Sequence, residues 1–149
     1  MLVEIHAASL NPIDYKIKEG KVKLLLSYKF PLILGNDFSG VIVKVGERVS
    51  AFKPGDEVYG RPRKSRIGTL AEYFAVHEED IWLKPQNLNY EKAASIPLVG
   101  ITTYQAFTDI MHLQKGQKIL IHAGSGGVAT FAIQLAKLMG AFCCNNSKR

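Results

Sequence analysis

Residues 118–141 read KILIHAGSGGVATFAIQLAKLMGA, and this stretch decides the fold. Ile119, Leu120, Ile121, His122 and Ala123 form a short apolar run with the length and branching of a buried parallel strand. Gly124-Ser125-Gly126-Gly127-Val128-Ala129 follows and fits the spacing G-x-G-x-x-G/A. Phe131, Ile133, Leu135, Ala136, Leu138 and Met139 then recur at helical intervals, and Gly140 stands where a helix C-cap belongs. Ala141-Phe142-Cys143-Cys144 supplies a second apolar strand. Glycines alone make ordinary turns. A glycine run between a strand and a helix, with another strand beyond, is the setting of a dinucleotide-binding turn. Bare backbone can approach a pyrophosphate there, and the helix N-terminus offers unpaired N–H groups and the positive end of its dipole. Gly124, Ser125, Gly126, Gly127 and Val128 are therefore the expected cofactor-binding residues.

The choice of nucleotide turns on what lies about 20 residues past the turn, where an NAD site needs a carboxylate for the ribose 2′-hydroxyl. The chain has Asn145-Asn146-Ser147-Lys148-Arg149 there, with no acid. Lys148 and Arg149 are side chains that pair with a 2′-phosphate, which points to NADP(H). A basic chain end left in solvent is the competing reading.

The 149 residues can build one ordinary domain or parts of two. A hydrophobic share of 47% with 21% charged residues describes a globular chain. The net charge of +6 does not mark a nucleic-acid binder. Lys16, Lys18, Lys21 and Lys23, then Arg61, Arg63, Lys64 and Arg66, are scattered and not interleaved with aromatics. An anionic cofactor accounts for such an excess equally well. The two cysteines are adjacent, on a strand expected to be buried, so they form no disulfide framework and suggest a reducing compartment. The apolar runs are too short for a membrane span, and the expectation is a cytoplasmic protein with no membrane partner.

From the start of the chain, Leu2–Ser9 alternates as a strand with Val3 and Ile5 on one face. Asn11-Pro12-Ile13-Asp14 opens a helix that closes near Gly20: Asn11 can cap, Pro12 suits the first helical position and Asp14 favours the dipole. Residues 21–31 support no assignment. Gly35–Gly40 (GNDFSG) reads as a glycine-bounded turn before a strand at Val41–Val45, and turns at Gly46-Glu47 and Phe52–Asp56 lead into Glu57-Val58-Tyr59. Thr69–Val76 and Ile81–Leu83 complete a set of short strands that predicts an antiparallel, barrel-like unit. The pattern then turns helical. Asn89 caps a helix, Pro97 interrupts it, and a longer helix runs to about His112.

The segments HAASLNPIDYK, GNDFSGVIVKVGERVSAFKPGDEVYG, GTLAEY, AASIPLVGITTYQAF and HAGSGGVATFAIQLAKLMGA together resemble the zinc-free quinone oxidoreductase branch of the medium-chain dehydrogenase/reductase superfamily. The resemblance covers nearly the whole chain, in the family's own order. It implies an α/β plus β architecture: a chaperonin-10-like (GroES-like) β-barrel-type catalytic domain over 1–96, then the first βαβ unit of a Rossmann domain over 97–149. It also implies NADPH-dependent hydride transfer to a quinone or an α,β-unsaturated carbonyl. By the same resemblance Asn11 and Asp14 lie near the nicotinamide–substrate cleft, Tyr59 contacts substrate and Thr102 contacts the nicotinamide. Gly126, Gly127 and Val128 match the pyrophosphate turn, and Ser147, Lys148 and Arg149 match the 2′-phosphate end. Each has a plainer alternative: Asn11 as a helix cap, Asp14 as a helix-start acid, Tyr59 as strand packing.

Zinc-dependent relatives place a ligand Cys where this chain resembles them with Asn11, and a ligand His where it has Asn36. Amides are not usual zinc ligands, the four-cysteine lobe is missing, and His6, His77, His112 and His122 share no ligand spacing, so no metal is expected. Hydride transfer then depends on positioning and on hydrogen bonds that polarise the acceptor carbonyl.

Family members begin with a strand pair that precedes Met1 here and continue well past Arg149. The expectation is therefore a fragment of a reductase, incomplete in both domains. The alternative is a non-catalytic remnant that binds nucleotide or protein, or forms homo-oligomers, through an uncovered sheet edge.

Overall fold

The computed structural model describes residues 1–24, 28–29 and 31–146, residues 145 and 146 through their backbone alone. It divides into two compact units, Met1–Pro97 and Leu98–Arg149.

The first unit is built on strands β1 (Leu2–Ser9), β2 (Asp37–Lys44), β3 (Glu57–Gly60), β4 (Tyr73–Ala75) and β5 (Ile81–Leu83). They pair antiparallel in the order β4-β1-β2-β3-β5. The expected antiparallel unit is present, as an open sheet rather than a closed barrel. One face carries the core, in which Val3, Phe38, Ile42, Val58, Phe74, Val76 and Ile81 pack together. Burying an aliphatic or aromatic side chain of this kind contributes about 1.5–3 kcal/mol.

The junction of β1 and β2 sets up the site. Ile5 opposes Gly40 and Ala7 opposes Ser39, so His6 is an extra residue on β1 and forms a bulge. A regular strand would put Ser9 on the core face with Val3 and Ile5. The bulge moves Ala7 and Ser9 to the other face, the one that carries Asp37 and Ser39. It also explains Gly40. The GNDFSG segment is no turn: most of it is the first half of β2, which starts at Asp37 and not at Val41. A Cβ on Gly40 would lie 2.0 Å from the Glu4 carbonyl oxygen, so its glycine serves a close backbone approach.

Only Tyr73–Ala75 of the expected strand Thr69–Val76 pairs with β1. The N–H groups of Gly68, Thr69 and Leu70 bond instead to the carbonyls of Gly35 and Leu34, holding this stretch as a loop against the start of β2. Gly35 is required there. Its φ is +110°, and a Cβ would meet Thr69 Oγ1 at 2.3 Å.

Helix α1 (Pro12–Lys18) follows Asn11 and ends before Gly20, whose φ of +71° provides the left-handed stop. Helix α2 (Tyr90–Ala94) is capped by Asn89 Oδ1, which accepts from Lys92 N–H at 3.0 Å, and buries Ala93 and Ala94.

The second unit holds helix α3 (Pro97–Gln105), one π-helical turn (Ala106–Ile110), strand β6 (Lys118–His122), helix α4 (Gly127–Leu138) and strand β7 (Phe142–Asn146). The regular helix thus ends at Gln105, short of His112, which itself takes φ +48°. Strands β6 and β7 pair in parallel, Lys118 with Phe142 through His122 with Asn146. Ala129, Ala132 and Ala136 of α4 pack on Ile119 and Ile121. The pair of strands is covered on one face only, which corrects the expectation of a fully buried strand. Leu120 and Phe142 are 60% and 64% exposed, Cys143 is half-buried and Cys144 exposed. Among the described residues no helix is long and apolar enough to cross a membrane.

Candidate functional site

At the end of β1 the chain turns into α1, and at the start of β2 it arrives from Gly35-Asn36. The cross-strand pairing of Ser9 with Asp37 brings these two junctions together. Asp14, in the first turn of α1, is 2% exposed and surrounded by donors. Its Oδ2 accepts from the Asn11 backbone N–H at 2.8 Å; its Oδ1 accepts from Gly35 N–H at 3.1 Å and from Asn36 Nδ2 at 2.8 Å. Asp37 is fully buried, and its Oδ2 accepts from Asn11 Nδ2 at 2.8 Å and from Ser9 Oγ at 3.1 Å. Thr69 Oγ1 donates to the Asp37 carbonyl at 3.0 Å. The two amides and two carboxylates are thus matched donor to acceptor, as buried polar groups must be.

Asn11 occupies the helix N-cap as expected, but its amide nitrogen is turned to Asp37. Asp14 does serve the helix start, through the Asn11 N–H, and also reaches the Gly35–Asn36 backbone and side chain. Tyr59 lies opposite Ser39 on β2 and opposite Trp82 on β5, its ring centroid 6.2 Å from the indole. Directly paired residues share a face, so Tyr59 is on the face that carries Asp37 and Ser39. Tyr90 and Glu57 also belong to this unit: the Tyr90 hydroxyl donates to the Glu57 carboxylate, and its ring stacks on His6 at 4.4 Å. Burial, then the bond to Glu57, pushes the Tyr90 phenol up to about 12. That hydrogen bond, with one from Lys84, holds the Glu57 carboxyl below its ordinary value.

In the second unit the glycine turn joins β6 to α4. The left-handed residue is Ala123, at φ +55°, and not one of the motif glycines. Gly126 N–H closes the turn onto Ala123 carbonyl at 2.8 Å, and Gly126 is the N-cap of α4 at φ −77°. The glycines matter for the absent side chain: a Cβ on Gly126 would come 3.3 Å from Ala123 oxygen, one on Gly127 3.5 Å from Val99 Cγ1. Ser125, Gly126, Gly127 and Val128 are exposed, Gly124 is buried, and no side chain caps α4. The first N–H groups of a twelve-residue helix therefore face outward from a bare turn. Thr102 is exposed on α3, next to a buried Thr103 whose hydroxyl donates to Val99 carbonyl at 2.8 Å. Ser147, Lys148 and Arg149 lie outside the described residues.

Residues 1–86 match the family model of the alcohol dehydrogenase GroES-like domain, more than half of the chain. The chain belongs to that family. Within it, the chain falls in the quinone oxidoreductase branch of the medium-chain dehydrogenases/reductases. It is 43% identical over 143 residues to the 2-methylene-furan-3-one reductase of Solanum lycopersicum, covering 92% of this chain and 36% of that protein. An alcohol dehydrogenase superfamily protein from Novosphingobium aromaticivorans superposes with TM-score 0.94 at 37% identity, over 99% of this chain and 45% of that one. The Escherichia coli quinone oxidoreductase complexed with NADPH superposes with TM-score 0.86 at 28% identity, over 99% and 44%. The chain thus spans less than half the length of these relatives.

Asp37, Ser9 and Gly35 were not singled out as site residues by the sequence. Asp37 sits in a segment that reads locally as a turn, and nothing in the pattern marks the bulge that brings Ser9 beside it. The pairing of Asn36 with Asp14 is equally silent in the sequence, since the two lie 22 residues apart.

Proposed function

We propose that this chain is the catalytic domain and first nucleotide-binding unit of an NADPH-dependent oxidoreductase that transfers hydride, without zinc, to a quinone or an α,β-unsaturated carbonyl. The observation that carries the proposal is the network of Asn11, Asp37, Asn36 and Asp14. Both amide nitrogens point at carboxylates, so they act as donors, and Asp14 already accepts from three groups. A zinc site needs converging lone pairs. Among the described residues no three His, Cys, Asp or Glu side chains converge in that way. The residues present do not fit the metal.

They do fit a dinucleotide. The exposed backbone of Ser125, Gly126, Gly127 and Val128 and the uncapped start of α4 would hold the pyrophosphate, with Gly124 shaping the turn. Thr102 would lie against the nicotinamide, and Ser147, Lys148 and Arg149 would receive the 2′-phosphate. When bound, the nicotinamide supplies the hydride. Asn11 and Tyr59 carry the N–H and O–H groups that can donate to the acceptor's carbonyl oxygen as negative charge develops on it. Asp14 acts through structure, fixing the Asn11 backbone and the Gly35–Asn36 segment. A second reading, self-association of a nucleotide-binding remnant, is favoured by the exposed Leu120 and Phe142.

Titration with NADPH and NADH, followed by nicotinamide fluorescence alongside the mass in solution, tests the proposal. NADPH should bind at least about tenfold tighter, a difference of about 1.4 kcal/mol, and replacing Lys148 and Arg149 by alanine should abolish the difference. Equal affinities would remove the NADP(H) assignment. Absence of both, with dimers growing with concentration, would favour the second reading.

A further inference from the structure

Arg61 follows β3 directly, and its N–H carries the β3–β5 ladder one step past the Gly60–Ile81 pair, donating to the Asp80 carbonyl at 3.1 Å. The backbone is therefore still extended, and the Arg61 side chain leaves on the face of Tyr59, about 7 Å further along the strand. Arg61 is half-buried, and its Nε–H is fully enclosed yet bonds to no group among the described residues. Nor does its guanidinium form an ion pair among those residues. Two carboxylates stand beside it in register, and both are engaged by other donors. Asp80 accepts from Arg63 Nε at 2.9 Å, and Asp37, one step beyond the Phe38–Gly60 pair, accepts from Asn11 and Ser9. The exposed Arg63 is thus paired while the more enclosed Arg61 is not. Arg61 also lies close enough to Tyr28 to act on it: burial pushes that phenol up, and the Arg61 charge opposes the rise. The Tyr28 hydroxyl is committed to the Lys64 carbonyl, to which it donates at 2.6 Å. Enclosed cations are normally paired and buried N–H groups normally bonded, so this guanidinium lacks an acceptor that a ligand can supply.

We propose that Arg61 receives the carboxylate of an acidic acceptor, so that the preferred substrate is an α,β-unsaturated ketone carrying one carboxylate at its far end. This rests on the hydride-transfer reading above and deepens it. A guanidinium offers a carboxylate a planar fork of donors, and its single charge balances a single charge. With the ketone oxygen at Tyr59, an anion at Arg61 lies a few bonds further along the acceptor.

The test compares two acceptors in NADPH-dependent reduction by the intact protein: a methyl enone whose β-carbon carries a propionate chain, and the methyl ester of the same molecule. The two methylenes insulate the enone, so the pair differs in charge and not in reactivity. The acid should have a kcat/KM about 10- to 100-fold above the ester, the range for a hydrogen bond to a charged group. The difference should lie in KM, because the contact is the same before and during hydride transfer. Arg61→Gln should bring the two acceptors together, and Arg61→Lys, which keeps the charge without the fork, should restore part of the gap. A second readout needs neither cofactor nor turnover. In the protein without NADPH, the Arg61 Nε–H resonance, identified by its loss in Arg61→Gln, should shift on adding the saturated ketone acid and stay in place with its ester. Equal KM values for acid and ester in the unaltered protein, or a gap that survives Arg61→Gln, would overturn the assignment while leaving hydride transfer intact. So would a fall in NADPH affinity in Arg61→Gln with the acid-to-ester ratio unchanged, which would give Arg61 to the cofactor. If neither acceptor is reduced, the hydride-transfer reading fails, and the NMR titration still decides whether Arg61 binds a carboxylate: a shift supports it and a stationary resonance overturns it.

Discussion

Truncation of Asp14 to alanine isolates what the buried network contributes to stability. The carboxylate accepts from Asn11 N–H, Gly35 N–H and Asn36 Nδ2, and Asp14 and Asn36 are 2% and 4% exposed. Removing it leaves three donors with no partner in a place water scarcely reaches. Each unsatisfied buried donor costs about 1–3 kcal/mol. The Asn11 N–H, at a helix start beside half-exposed residues, can recover water and falls at the low end. The other two cannot, so Asp14→Ala should cost about 3–5 kcal/mol, a large part of the roughly 5–15 kcal/mol that holds an ordinary domain. Asp14→Asn keeps one acceptor oxygen and should lose about half as much. Urea unfolding followed through Trp82, the chain's one tryptophan, reads the first unit directly. A loss below about 1 kcal/mol in Asp14→Ala would mean that the donors find other partners, and the reasoning from the network would fail.

Gly40→Ala drives a methyl against the Glu4 carbonyl at the β1 bulge and should destabilise by about 3 kcal/mol or more, since backbone must move to admit it. Gly46→Ala, with open space around its Cβ, should be neutral or stabilise by up to about 1 kcal/mol in the same assay; similar costs at both positions would refute the close-approach reading. The Tyr90 phenol, raised in the folded state from 10.0 to about 12, should titrate near the upper value by tyrosinate absorbance. A raised pKa means the folded state holds the proton more tightly. Its contribution to stability is complete below pH 10 and is lost between pH 10 and about 12, a loss that Tyr90→Phe should remove.

The nucleotide-binding half was legible because its signals are local. Helical periodicity from Phe131 to Met139, glycines before it and an apolar run on either side leave few other folds, and β6, α4 and β7 follow them. The burial of those strands was not legible: whether Leu120 or Cys144 is covered depends on which elements pack on the second face. In the first unit the cap and proline at Asn11-Pro12 found α1, and the acid at Asp14 was recognised for its place in the first turn. Its wider role was hidden, because Gly35 and Asn36 reach it only through tertiary structure. The GNDFSG segment is ambiguous in the sequence for a related reason. Glycine marks both turns and close backbone approaches, and only the register between β1 and β2, shifted at His6, tells which is needed. Asp37, the first residue of that strand, is hidden with it.

Reduction of a quinone and an enone by NADPH, catalysed by the intact protein after exhaustive dialysis against a chelator and with zinc content measured, goes to the centre of the proposal. Hydride transfer organised by Asn11, Tyr59 and the glycine turn predicts turnover unchanged by chelation and by added zinc. Activity that disappears on chelation and returns with zinc would contradict it.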